Sequence, residues 1–165
     1  MDDITTPKFM ALSIGFLLLV TAIIFDADGF IFIIDHANLL FHEAGHPIFG
    51  MFGQTMSLYG GTLGQLAIPL ICGYAFLKQG ATASVAVTML WFFENFFNIA
   101  RYMADARAHL LPLVGGGEHD WTNIFNRWGV LPHDVTIANF VRFLGWAGLI
   151  STMIFVTYKW RRQDG

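Results

Sequence analysis

The chain has 165 residues, is 55% hydrophobic and only 13% charged, with a mean hydropathy of +0.55. Soluble domains carry about 25% charged residues, so the composition points to a membrane protein. The formal net charge of −3 supplies no basic surface for nucleic acid, and the single cysteine, Cys72, excludes an internal disulfide.

Five apolar segments follow one another. Residues 9–25, FMALSIGFLLLVTAIIF, contain no charge. The run exceeds the ~7–15 residues of a signal-peptide core, and no clear cleavage site follows, so it reads as a retained helix. The second segment runs from about Phe30 to Phe52. The third runs from about Leu58 to Leu77 and is closed by Lys78. The fourth runs from about Ala81 to Ala106, and the fifth from about Val135 to Tyr158, closed by KWRR. No linker or repeat divides them. The expectation is one all-α domain over 1–165, a polytopic membrane protein of about five transmembrane helices. Helices are the default because an open sheet edge cannot be satisfied in lipid. After Gly115–Gly117, the apolar residues Trp121, Ile124, Phe125 and Trp128 recur at helical spacing. They predict a short interfacial helix, an anchor that could also cover a site. YGGTLGQLAIPL, 59–70, is rich in small residues that let helices approach closely; Gln65 within it is polar at depth and has no assigned role.

With five spans, Lys78 and the cluster Lys159, Arg161 and Arg162 fall on one side, cytoplasmic by the positive-inside rule. The N-terminus and the glycine-rich loop then face outward. The ends of the second and fourth segments and the 109–134 loop share the outer face.

The second segment carries LLFHEAGHPIFG, 39–50. His42 and His46, four residues apart, share a helix face and can grip one ion. Glu43 can reach a metal-bound water, which is the zinc-hydrolase use of His-Glu-x-x-His. Ionisable residues at membrane depth are rare and usually functional. Pro47 removes a hydrogen bond to the Glu43 carbonyl and should kink the helix at the site. Asp35 lies seven residues before His42, placed to orient a histidine or cap the inner end of the site. Glu94, Asn98, Arg101 and Asp105 form a second polar stripe that should face inward, with Asn98 or Arg101 positioning substrate.

A catalytic zinc usually has three protein ligands and an open position. The candidates for the third are His119, Asp105, Glu118, Asp120 and His109. His119 is favoured, because imidazole is a common ligand and the preceding glycines let the backbone bend inward; Asp105 is next. Glu118 and Asp120 otherwise serve as neighbours of the site. His36 and His133 read as structural.

HEAGH on an apolar helix resembles the site-2 protease family of intramembrane zinc metalloproteases. The resemblance covers this motif and the topology. It implies His42 and His46 as ligands, Glu43 as base, and a third ligand from an Asp on a later helix. Asp105 in YMADAR holds the comparable place, although Ala106 stands where that family usually has glycine. LPLVGGGEHDW also looks like a segment of small bacterial membrane proteins of this sort. The expected activity is therefore zinc-dependent cleavage of a peptide bond within or beside the bilayer. The expected setting is a bacterial inner membrane, with the C-terminus cytoplasmic and the site toward the outer leaflet. The rivals are a ceramidase-like hydrolase of a lipid amide or ester, and a non-catalytic metal-binding bundle. Nothing in the sequence sets the oligomeric state.

Overall fold

The structure is a computed structural model, described here for residues 2–25, 31–114 and 118–162. These residues form six α-helices: α1 (Thr6–Phe25), α2 (Phe32–Gly50), α3 (Gln54–Lys78), α4 (Thr82–Ala104), α5 (Asp120–Trp128) and α6 (Asp134–Arg161). A 3-10 turn, Leu131–His133, leads into α6. Among the described residues there is no strand. Four helices are long and apolar enough to cross a membrane: α1, α3, α4 and α6 with its leading turn. Large apolar side chains such as Leu18, Phe25, Ile71 and Ile154 point outward, as expected where the solvent is lipid.

Glycine sets the closest helix contact. A Cβ on Gly45 would lie 2.0 Å from the Gly60 carbonyl oxygen, and one on Gly64 would lie 2.6 Å from the Phe41 carbonyl oxygen. Only hydrogen fits at these positions, so α2 and α3 pack backbone to backbone, as the small-residue run suggested. α4 packs on α6 differently: Gly145 and Gly148 receive the rings of Phe97 and Phe93.

The chain ends meet at one end of the bundle. Asp2 accepts hydrogen bonds from the Thr82 N–H at 2.6 Å and the Lys8 ammonium at 2.7 Å. Phe9 stacks on Trp160 with ring centroids 4.3 Å apart. The start of α1 and the end of α6 thus lie at the same end of the bundle, where the expected topology put them on opposite faces, and α2 is not among the helices long and apolar enough to cross, so the expected five spans are not all found.

The helix that departs from expectation is α2. Asp35, in its first turn, accepts a hydrogen bond from Asn98, and Asn38 donates to Glu94. Glu94 is twelve residues into α4, about 18 Å along it at 1.5 Å per residue. α2 therefore starts midway along the bundle; it packs antiparallel to α3, Phe41 meeting Gly64 and Gly45 meeting Gly60, so it runs in the same sense as α4, and it continues through Pro47 to Gly50. Its inward face is polar, with Asp35, Asn38 and His42 buried, and its outward face carries Phe32, Ile33, Leu40 and Ile48. That inner face is what lowers its average hydropathy.

α5 is the short helix expected after the glycines, and its apolar residues pack on the bundle. Trp121, Ile124 and Phe125 are buried against Ile99, Ala100 and Met103 of α4 and Ala138 of α6. Its apolar face is occupied by protein, and of its apolar residues only Trp128 is exposed, donating to the Tyr59 hydroxyl at 3.0 Å. The glycines 115–117, whose bend was expected to aim His119, lie outside the described residues.

Candidate metal centre

Two consecutive turns of α2 place His42 and His46 on one face, ring centroids 4.9 Å apart. The first residue of α5 faces them. The Asp120 carboxylate Oδ2 is 2.9 Å from His42 Nε2 and 3.3 Å from His46 Nε2. One ligand atom from each of the three residues lies within 4.8 Å of the others. His42 and Asp120 are buried, and His46 is half-buried.

Each imidazole uses its other nitrogen elsewhere. His46 Nδ1 donates to the Ser57 carbonyl at 2.8 Å, and His42 Nδ1 donates to Gln65 Oε1 at 3.2 Å. Both Nε2 lone pairs are thereby directed at the space shared with Asp120, as in metal sites where an outer partner fixes the ring. α3 contributes a third requirement. A Cβ on Gly61 would lie 2.4 Å from His42 Nε2, so the His42 ring occupies the space that a side chain would take. Two imidazoles and a carboxylate are a donor set that suits zinc, with room for a fourth position.

His42, His46 and Asp120 all line a cavity of about 810 Å³. Its lining includes Glu43, Asn98, Arg101, Tyr102 and Glu118, with Leu39, Leu58, Leu111 and Leu113 supplying apolar wall. Glu43 adjoins the histidines without joining the three-residue group. Glu118 accepts from the Asn123 amide at 2.8 Å. Asp35 lies deeper, 1% exposed, inside the bundle.

His119 and Asp105, the preferred third ligands, are not brought to the metal group. They brace the segment that delivers Asp120. Asp105 ends α4 and accepts from the Leu110 and Leu111 N–H groups at 2.8 and 3.1 Å. His119 caps α5, its Nδ1 accepting from the Thr122 N–H at 3.3 Å, and its Nε2 is 3.5 Å from Asp105. Burial pushes the His119 imidazole below its usual range, opposed by the Asp105 carboxylate. The Thr122 hydroxyl donates to the Ala106 carbonyl, and His109 Nε2 lies 2.9 Å from that hydroxyl. The Asp120 N–H donates to the Tyr102 hydroxyl at 3.1 Å. The loop and the start of α5 are thus tied to the end of α4, and one residue past the cap the side chain turns toward α2.

The site also uses residues to which sequence reading gave no role. Gln65 carried a signal, an amide in an otherwise apolar helix; Gly61 belonged to the small-residue run; Tyr102 lay beside the polar stripe; Ser57 acts through its carbonyl and carried none. No protein-family model matches the chain, and no curated protein or solved structure does either.

Proposed function

We propose that this protein is an intramembrane zinc-dependent hydrolase, most simply a metallopeptidase acting on a peptide bond within or next to the bilayer. The observation that carries the reading is the convergence of His42, His46 and Asp120 at a cavity that Glu43 also lines. His42 Nε2, His46 Nε2 and the Asp120 carboxylate would hold the ion. Zinc in such a site polarises a carbonyl and lowers the pKa of water toward ~7. Glu43 takes the proton of the attacking water and returns it to the leaving amine. Arg101, on the cavity wall, meets the negative charge that develops on the carbonyl oxygen. The apolar wall of Leu39, Leu58, Leu111 and Leu113 suits a hydrophobic segment of substrate.

In the membrane, α1, α3, α4 and α6 cross, and α2 enters from the middle of the bundle. Lys8, Lys78, Lys159, Arg161 and Arg162 gather at the end where the chain termini meet. That end is assigned to the cytoplasm of a bacterial inner membrane, and the metal centre to the opposite leaflet.

The test pairs elemental analysis with cleavage. Purified protein should carry about one zinc per chain, and Glu43→Gln should keep it. General acid–base groups contribute ~10²–10⁴-fold, so the variant should lose at least that much turnover on a panel of transmembrane peptides in liposomes. Wild-type cleavage by Glu43→Gln would sink the mechanism. Turnover of lipid amides or esters with no peptide cleavage would move the substrate to lipid.

A further inference from the structure

Between the metal centre and the middle of the bundle runs a chain of polar side chains, buried except for the half-buried Asn98. Gln65 Nε2 donates to Asn98 Oδ1 at 2.7 Å, and Asn98 Nδ2 donates to Asp35 Oδ1 at 2.8 Å. Asn38 Nδ2 donates to Asp35 Oδ1 at 3.3 Å and to Glu94 Oε2 at 2.8 Å. Asp35, Asn38, Gln65 and Glu94 are each no more than 2% exposed. Buried polar groups are costly unless hydrogen-bonded, which makes the direction of every bond matter.

Two groups that can only donate fix that direction. The Trp91 indole N–H donates to Asn38 Oδ1 at 2.8 Å, so the Asn38 NH₂ must face the carboxyls. The Ile31 N–H donates to Asp35 Oδ2 at 2.5 Å. Both oxygens of Asp35 therefore face donors, and Asp35 is an acceptor at each. Asn98 must turn its NH₂ to Asp35 and its oxygen to Gln65. Gln65 must then turn its NH₂ to Asn98 and its oxygen to His42. His42 can meet that oxygen only with a proton on Nδ1, which leaves the Nε2 lone pair for the metal. His46 has no such dependence, because its Nδ1 faces a backbone carbonyl that cannot turn round.

We propose that Asp35 is a positioning residue: acting through Asn98 and Gln65, it sets which nitrogen of His42 carries the proton and so presents Nε2 to the ion. The proposal rests on the metal-site reading. Losing an outer partner of a metal-bound histidine typically costs ~10–100-fold in metal affinity, and that is the effect expected here from a residue two amides away.

The experiment is a double-mutant cycle on zinc affinity, measured by chelator competition in detergent. Asp35→Asn should weaken zinc ~10–100-fold. An amide at 35 cannot offer oxygen to both Ile31 and Asn98, so Asn98 and Gln65 can reverse and turn an NH₂ toward His42. Adding Gln65→Glu should restore affinity in that background, because the new carboxylate accepts from a reversed Asn98 and from His42 Nδ1–H together. The same Gln65→Glu change in the wild-type background should gain much less, since Asn98 then lies between two acceptors. This reciprocity is what a role in packing alone would not produce. If Gln65→Glu changes affinity by one factor in both backgrounds, or if Asp35→Asn binds like wild type, the relay is refuted and the metal site stands. A wild-type protein that takes no zinc removes both. Should Asp35→Asn fail to fold, a double variant that folds and binds zinc supports the relay, and one that does not overturns it.

Discussion

Gly61→Ala separates the metal site from the fold that holds it. The added Cβ would stand 2.4 Å from His42 Nε2, 2.5 Å from Cε1 and 2.7 Å from Cδ2, whereas ordinary contact begins near 3.4 Å. The imidazole must retreat by about 1 Å. It is the far end of a side chain, so the helices need not part, and overpacking of this kind costs ~1–3 kcal/mol. Metal–ligand distances tolerate only about ±0.2 Å, so the same movement in effect removes one ligand. Zinc affinity should fall beyond the ~10–100-fold typical of an outer-partner loss, while helicity and the melting transition persist. Gly15→Ala is the control: nothing lies within 4 Å of its Cβ, so zinc binding should be unchanged and stability equal or better by ~0.4–1 kcal/mol. Chelator competition and thermal melting on the same preparations report both quantities. Wild-type zinc affinity in Gly61→Ala would show that His42 does not bind the ion from this position, and the site geometry would be wrong.

Asp120→Ala should lose zinc as completely as His42→Ala. His119→Ala should keep it and lower stability by ~0.5–2 kcal/mol, the usual cost of a helix cap; zinc loss in the second variant alone would reverse the assignment of the third ligand. Gly60→Ala places a Cβ 2.6 Å from the Gly45 carbonyl oxygen, backbone that cannot step aside, and should prevent α2 and α3 from packing, read as loss of the cooperative melt. The Lys8 ammonium and the Thr82 N–H pull the Asp2 carboxyl down to about 2. Its contribution is complete above the ordinary value of ~3.9 and is lost as pH falls through the folded value. Melting temperature should therefore decline through that window in wild type and decline less in Asp2→Ala; identical acid profiles would show that the contact contributes nothing.

Helix existence was legible in the sequence because uncharged runs of about twenty residues have few other ways to satisfy their backbone in lipid. The pairing of His42 with His46 was legible too, since i and i+4 meet on any α-helix. So was the close approach at 59–70, where small side chains announce it. The third member of the group that could hold a metal was not. Glu118, His119 and Asp120 are adjacent, and which of them turns inward is decided by where α5 begins and by the ties from Thr122, Asp105 and Tyr102. Chemical preference favoured the imidazole, but hydrogen bonding from the Thr122 N–H turned that imidazole into a cap. The number of crossings was not legible either. Averaged hydropathy cannot tell a fifth span from a helix with a polar inner face that starts midway along the bundle. Contacts far apart in the chain show where α2 starts and which helix ends adjoin, Asp35 with Asn98 and Asp2 with Thr82. Periodicity and composition are local properties, and they determined the elements. Register between helices depends on which surfaces fit, and only the packed structure decided it.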